Sequence, residues 1–183
     1  NGREMVMEDD PNKRIFVLNS RSAGPELDVL IEKAVELIDE KETFDEVVEA
    51  LEAYHQKTDV IFIFQSVKNL VNNGRVSRTV GSLIGLLNLR LVGVRTPEGT
   101  IDLAHRTRGD ARGIRKAMTE MVERGYNGGR AIIAEHDNVP YAEAFKKALL
   151  KKFPDADVDI RPGSGLTTFY AEEGGLIIGY EKE

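Results

Sequence analysis

Three groups of residues in this chain have the types and spacing to handle a charged group. The first is Gly163-Ser164-Gly165 followed by Thr167-Thr168, Phe169-Tyr170 and Gly174-Gly175, directly ahead of an apolar strand pattern from Leu176 to Tyr180. Hydroxyls and free backbone amides beside aromatic rings suit a ligand with an anionic head and an apolar tail. The second group is basic. Nine Lys/Arg (Arg75, Arg78, Arg90, Arg95, Arg106, Arg108, Arg112, Arg115 and Lys116) stand against Glu98, Asp102 and Asp110, a local +6 inside a chain of net charge −6 that leaves −12 for the remainder. A basic face on an acidic protein points to an anionic ligand or an acidic partner surface rather than to nucleic acid, with an ordinary solvated face as the equal alternative. The third group is His136, which closes the pattern Arg130 to Glu135 beside Asp137 and Asn138. A general base needs a partner and a substrate within reach. Asp137 or Asn138 as caps for the next helix is the reading that these residue types favour.

Other chemistries are excluded by what is missing. There is no Cys, so thiolate nucleophiles, disulfides and Cys-held metals drop out together. His55, His105 and His136 are not at metal-ligand spacing, and His55 reads as a surface residue at a helix C-terminus. No phosphate-binding glycine loop, zinc-protease helix, nucleophile elbow or calcium loop occurs, so no cofactor is expected and binding is favoured over catalysis. No apolar run reaches the ~18 residues of a membrane span, and the acidic N-terminus is no signal peptide. With 41% hydrophobic and 31% charged residues, the 183-residue chain fits one well-cored domain, or a domain plus part of another, in the cytoplasm. Its first residue is Asn, and the expectation is a piece of a longer protein.

The elements that must position these groups read as follows. Asn1 to Asn12 is polar and expected to fray. Lys13 to Asn19 reads as a buried strand that ends in the loop Ser20-Arg21-Ser22-Ala23-Gly24. Leu27, Leu30, Ile31, Ala34, Val35 and Ile38 form one stripe of a helix opened by Pro25. Thr43 and Glu46 make a capping box for a second helix, with Phe44, Val47, Val48, Leu51 and Tyr54 inward. Asp59 to Gln65 is a strand covered on both faces, and Ser66 to Val71 is a short helix. Leu89 to Arg95 and Thr100 to Arg106 are strands joined by the turn Thr96-Pro97-Glu98-Gly99, so part of the sheet is antiparallel. Thr107 to Gly113 opens a helix with Ile114, Ala117, Met118, Met121 and Val122 inward. Arg130 to Glu135, the helix from Pro140 to Phe153 and the strand Asp157 to Arg161 make a βαβ unit, for which parallel pairing is favoured.

Asn72 to Val94 organises this order. Asn73-Gly74-Arg75 forms a turn, Ser77 caps a helix reaching about Leu87 through Gly81, Ser82 and Gly85, and a β-branched strand follows. Taken in order, SRSAG (20–24), NNGRVSR (72–78), LLNLRLVG (86–93), RTRGDARG (106–113), the strand ending in His136 and SGLTTFYAEEGGLIIGYE (164–181) resemble the DegV family of bacterial fatty-acid-binding proteins, from about Arg14 to Tyr180.

That resemblance implies the EDD fold: an α/β protein with a mixed sheet flanked by helices, together with a remnant of an N-terminal Rossmann-like α/β domain. Residues 1–24 would be the tail end of that domain and residues 25–183 the DegV-like C-terminal domain. It implies a long-chain fatty acid as ligand, with its carboxylate at the domain junction and its tail in an apolar pocket, and a separate ATP-dependent fatty-acid kinase as partner. Ile84, Leu87, Leu166 and Phe169 are expected to wall the pocket, with Arg106, Thr168, Gly174 and Gly175 also at the ligand. Arg75, Arg106 and Arg108 are expected on the face that meets the head group or the kinase. Many family members carry H-T-G-P-G where this chain has Ala171-Glu172-Glu173-Gly174-Gly175, so the usual ligand-facing histidine is missing. Head-group hydroxyls from the N-terminal domain would lie upstream of Asn1. The alternative is a phosphotransfer or kinase-like subunit, since the family's fold resembles that of dihydroxyacetone kinases, with His136 as its only local candidate.

Overall fold

The structure, a computed structural model, describes residues 2–40, 42–76 and 88–183. The helix expected from Ser77 to Leu87, including Ile84 and Leu87, lies outside the described residues. The described elements are α1 (Gly2–Asp9), α2 (Pro25–Asp39), α3 (Phe44–His55), β1 (Thr58–Phe64), α4 (Lys68–Asn72), β2 (Leu89–Arg95), β3 (Ile101–Arg108), α5 (Asp110–Glu123), β4 (Ala131–Glu135), α6 (Val139–Lys152), β5 (Val158–Pro162), α7 (Gly165–Ala171) and β6 (Leu176–Glu181).

The six strands form one mixed sheet in the order β3-β2-β1-β6-β4-β5. Only β4 and β5 pair in parallel, as the β4-α6-β5 unit requires. Every residue of β1 is buried, and β6 is buried up to Tyr180. Uninterrupted apolar runs of this kind belong in the middle of a sheet with both faces covered. On the first face Ile61, Ile63, Val92, Ile133 and Ile178 meet Ile114, Ala117 and Met121 of α5 and Phe145 and Leu149 of α6. On the second, Val60, Phe62, Phe64, Leu89, Leu91 and Ile177 pack with Leu70 of α4 and Ala171 of α7. Each such aliphatic side chain contributes about 1.5–3 kcal/mol on burial.

A register shift between Val92 and Gly93 lets β3 serve both faces. Leu103 pairs with Gly93 and His105 with Val92, so Ala104 is the extra residue. Ile101 and Leu103 therefore pack on the second face, while His105 reaches Glu120 of α5 at 2.7 Å.

Several local expectations meet a different outcome. Asn1 to Asn12, expected to fray, contains helix α1 with all its residues exposed, and Phe44 of α3, expected inward, is 39% exposed. Lys13 to Asn19 forms no strand, and Val17 is 64% exposed. An apolar run is buried as a strand only where a sheet edge receives it. Here the edges are β3 and β5, and the chain is held instead through Ser20, whose carbonyl accepts from His55 Nε2 at 2.9 Å, and through Arg21, which donates to the Pro97 carbonyl.

Helix α2 buries Val29, Leu30 and Leu37 and leaves Leu27, Ile31, Val35 and Ile38 exposed, so most of the predicted stripe faces outward. The helix is apolar on more than one side, and polar contacts decide which side the sheet takes. Glu26 is fully buried, accepts from Thr58 Oγ1 at 2.7 Å and lies 3.5 Å from Arg95. A Cβ on Gly179 would come 2.2 Å from the Glu26 nitrogen, so only glycine in β6 lets the first turn of α2 settle there.

Strand β3 runs on to Arg108, and helix α5 starts only at Asp110 after Gly109 at φ 81°. Asn138 occupies the N-cap position of α6 without a side-chain cap, because its amide is engaged elsewhere. The capping box of α3 forms as expected, with Thr43 and Glu46 bonding reciprocally.

Candidate ligand site at one end of the sheet

Strands β1 and β4 finish and β6 begins at the same end, and the polar residues of the candidate site collect there. The centre is His136, one residue beyond β4 and only 3% exposed. Its backbone is locked onto the loop before β6: the Gly174 N–H donates to the His136 carbonyl at 2.6 Å, and the His136 N–H to Gly175 O at 3.2 Å. A Cβ on Gly163 would fall 1.9 Å from the imidazole Cε1, so the absence of a side chain there makes room for the ring. The ring's Nδ1 lies 3.2 Å from Thr168 Oγ1 on α7, and its buried Nε2 has no hydrogen-bond partner among the described residues. Burial holds the imidazole below its usual pKa, outweighing Glu135 and Asp137, which favour protonation.

Around this centre the polar groups are side-chain amides together with the carboxylates of Glu135 and Glu172, and Glu135 accepts from the Asn138 N–H at 2.8 Å. The Gly174 carbonyl accepts from Gln65 Nε2 at 3.1 Å and from Asn138 Nδ2 at 3.2 Å. On α4, the Asn69 N–H donates to Glu172 Oε1 and its side-chain amide to the Phe169 carbonyl, both at 2.8 Å. Helix α4 is thereby tied to α7, and Thr168 stands at the surface in front of the buried histidine.

An apolar slot adjoins this cluster. Phe64, the residue before Gln65, lines an opening of about 90 Å³ on the second sheet face with Val67, Val76, Ile101 and Leu103; Gly93 and Asp102 complete the lining. Phe62 and Phe64 stack at 5.5 Å behind it. The connection from Phe64 to Asn69 therefore has a polar rim on one side and an apolar slot on the other.

The other expected site residues are placed as follows. Thr168, Gly174 and Gly175 are brought together around His136. Leu166 and Phe169 share α7 but face outward, 67% and 47% exposed. Arg106 and Arg108 lie on the edge strand β3, paired with Leu91 and Leu89, and both are exposed. Arg75 follows α4 and is exposed. Gly163, from the glycine-flanked group at 163–165, meets the ring, while Gln65 and Asn69 join the site with no motif to mark them. A glutamine directly after a seven-residue buried strand was the available signal. A covalent role for His136 fails on access, since the ring is sealed behind Thr168 and Gly163.

A second cavity, of about 740 Å³, opens at the opposite end of the sheet and is lined by Arg21, His55, Asp59, Arg95, Arg124 and Lys182 among others. Asp59, 2% exposed, takes Arg95 at 3.2 Å, Arg124 at 2.9 Å and Lys182 at 3.9 Å. Arg95, Arg124 and Lys182 are thus already engaged by a carboxylate and Arg21 donates to the Pro97 carbonyl, and the cavity's size does not make it the better candidate.

A mixed six-stranded sheet with helices on both faces, and a polar rim beside an apolar slot at one sheet end, defines an α/β domain with a candidate ligand site. The chain belongs to the DegV family: the family profile described as "Uncharacterised protein, DegV family" matches residues 2–183. A DegV domain-containing protein of Streptococcus pneumoniae is 44% identical over 179 residues, covering 98% of this chain and 64% of the relative. The fold is similar to that of the Streptococcus pneumoniae Fatty Acid Kinase (Fak) B3 protein loaded with linoleic acid, with TM-score 0.94 and 44% identity over 99% of this chain and 64% of that one. It is also similar to a DegV family protein from Eubacterium eligens loaded with heptadecanoic acid, with TM-score 0.95 and 30% identity over 99% of this chain and 66% of that one. The chain thus spans a little under two thirds of the length of these relatives. No helix among the described residues is long and apolar enough to cross a membrane.

Proposed function

We propose that this chain is the tail-holding part of a fatty-acid-binding protein. The acyl chain enters through the slot at Phe64, Val67, Ile101 and Leu103, and the carboxylate rests at the rim formed by Thr168 and the Gly174-Gly175 loop. Burial of each methylene contributes ~0.8 kcal/mol, so the tail sets the affinity, and the rim selects the head group. The observation that carries this reading is the adjacency of slot and rim across residues 64–69. The relatives loaded with linoleic and heptadecanoic acid support the ligand class. In this reading the chain binds and presents the acid rather than transforming it. A separate kinase that accepts the presented carboxylate is the corresponding partner, and the exposed Arg75, Arg106 and Arg108 are available to an acidic partner surface. In this reading residues 25–183 are the DegV-like C-terminal domain, residues 1–24 are the tail end of an N-terminal domain, and the protein works in the cytoplasm. Native mass spectrometry of the full-length protein from a bacterial lysate is expected to show a bound fatty acid. A lipid-free spectrum at every protein concentration overturns the proposal.

A further inference from the structure

We propose that His136 is a positioning residue that turns the Thr168 hydroxyl into a hydrogen-bond donor aimed out of the protein, so that the rim prefers a carboxylate over an uncharged head group. The inference rests on the reading of the rim as the head-group site. A neutral imidazole carries one N–H, and here only one ring nitrogen has a partner: Nδ1 lies 3.2 Å from Thr168 Oγ1, and Nε2 is buried without one among the described residues. If the proton sat on Nε2, it would be a buried N–H with nothing to donate to, the rarer defect in folded proteins. With the proton on Nδ1, the ring donates to Thr168 Oγ1, and the hydroxyl hydrogen is left to point outward.

That orientation has a chemical consequence. An outward O–H bonds a carboxylate oxygen, whereas a hydroxyl that gives its proton to Nδ1 offers only lone pairs and repels the same oxygen. The surroundings fix the ring in this role. Gly163 leaves space for it, the Gly174 N–H and Gly175 carbonyl hold its backbone on both sides, and burial keeps it neutral although Glu135 and Asp137 flank it. An imidazolium would also donate from Nδ1, but its second N–H would be buried unpaired.

Two measurements on the full-length protein test this. Long-range ¹⁵N–¹H correlation spectra of the ligand-free protein read the tautomer. Protonation at Nδ1 is expected, and protonation at Nε2 overturns the proposal. Binding of a fatty acid and of its methyl ester is then compared across variants, because a merely structural role weakens both ligands alike. His136→Leu is expected to lower the acid-to-ester preference about tenfold, the size of one hydrogen bond to a charged group. His136→Asn, whose amide places an N–H near the position of Nδ1, is expected to keep most of the preference. Thr168→Val is expected to lose as much as His136→Leu, and the double variant no more than either. An unchanged preference in His136→Leu, or additive losses in the double variant, overturns the role of His136 while leaving fatty-acid binding intact. Failure of the unmodified protein to bind either ligand removes the proposed function itself.

Discussion

The two ends of the sheet solve the problem of buried polarity in opposite ways. At the end where β1 starts and β6 finishes, charge meets charge: Asp59 holds Arg95, Arg124 and Lys182, and Glu26 sits against Thr58 and Arg95. At the other end, where His136 follows β4, an imidazole, a threonine and the amides of Gln65, Asn69 and Asn138 are joined by hydrogen bonds, and the carboxylates of Glu172 and Glu135 accept the backbone N–H groups of Asn69 and Asn138. A cluster in which cations and carboxylates hold one another keeps structure together. A cluster built of hydrogen-bonded dipoles keeps any donor that points outward for a group from outside. Cavity size alone would have selected the first end, and the pairing of its charges argues for the second.

The largest effect is expected where that internal cancellation is broken. Asp59→Asn leaves Arg95, Arg124 and Lys182 without the carboxylate they share, with Glu26 at 3.5 Å from Arg95 and Glu120 at 4.0 Å from Arg124 as the remaining counter-charges. Removing one partner of a buried ion pair costs about 3–5 kcal/mol, and here the lower end applies because Arg124 and Lys182 reach water. Thermal unfolding should shift down by roughly 6–12 °C at about 2–4 °C per kcal/mol for a chain of this size. The acid-to-ester preference of the variant, measured below its melting temperature, should stay where it was. A change in that preference would mean that the two ends are not separate in function.

Gly163→Ala tests the other end and comes next in size. The new methyl group would overlap the His136 ring, forcing a shift of the kind that costs about 1–3 kcal/mol in a packed interior. Unlike Asp59→Asn, this change should also reduce the preference for a carboxylate, because the displaced ring no longer reaches Thr168. A variant that loses stability while keeping full head-group preference would separate the histidine from the ligand.

The pH dependence of stability sharpens the same contrast with a smaller effect. The folded-state pKa of His136 lies below its unfolded value of 6.5, so in the interval between them the unfolded chain binds the proton and the folded one does not. Its contribution to stability is complete above pH 6.5 and is lost as the pH falls toward the folded pKa. Denaturant unfolding between pH 7 and pH 5 should therefore show a decline that is shallower in His136→Asn. The lowered carboxyl pKa values of Glu32 and Asp159, held down by Arg161 and Arg130, act only below their unfolded values of 4.5 and 3.8, outside that interval.

Much of the scaffold was legible in the chain because its signals are local. The capping box at Thr43, the Thr96–Thr100 turn and the fully apolar β1 each depend on a few consecutive residues. The mixed sheet followed from one hairpin and one βαβ unit. The buried side of α2 was not legible, because the helix offers more than one apolar face and the choice rests on Glu26 meeting Thr58 and Arg95 across the fold. The candidate site was half visible. Gly163, Thr168 and Gly174-Gly175 announced themselves by type, while Gln65 matters only because the β1–α4 connection brings it to Gly174. Asn138 looked like a helix cap and is one by position alone, its amide serving the Gly174 carbonyl.

The smallest expected effect belongs to Arg106, the cation that charge alone would nominate for the head group. Three strand spacings of about 4.8 Å separate β3 from β6, roughly 14 Å, and an exposed guanidinium at that range is screened over a Debye length of about 8 Å. Arg106→Ala should therefore leave fatty-acid affinity within about twofold at physiological salt, in line with the small worth of exposed charges. It should instead weaken capture by an acidic partner protein, and increasingly so at low salt, where the electrostatic attraction that it removes is largest. If Arg106→Ala lowered fatty-acid affinity as far as Thr168→Val does, the carboxylate would have to lie at the edge strand, and the rim around His136 would lose its part in head-group selection.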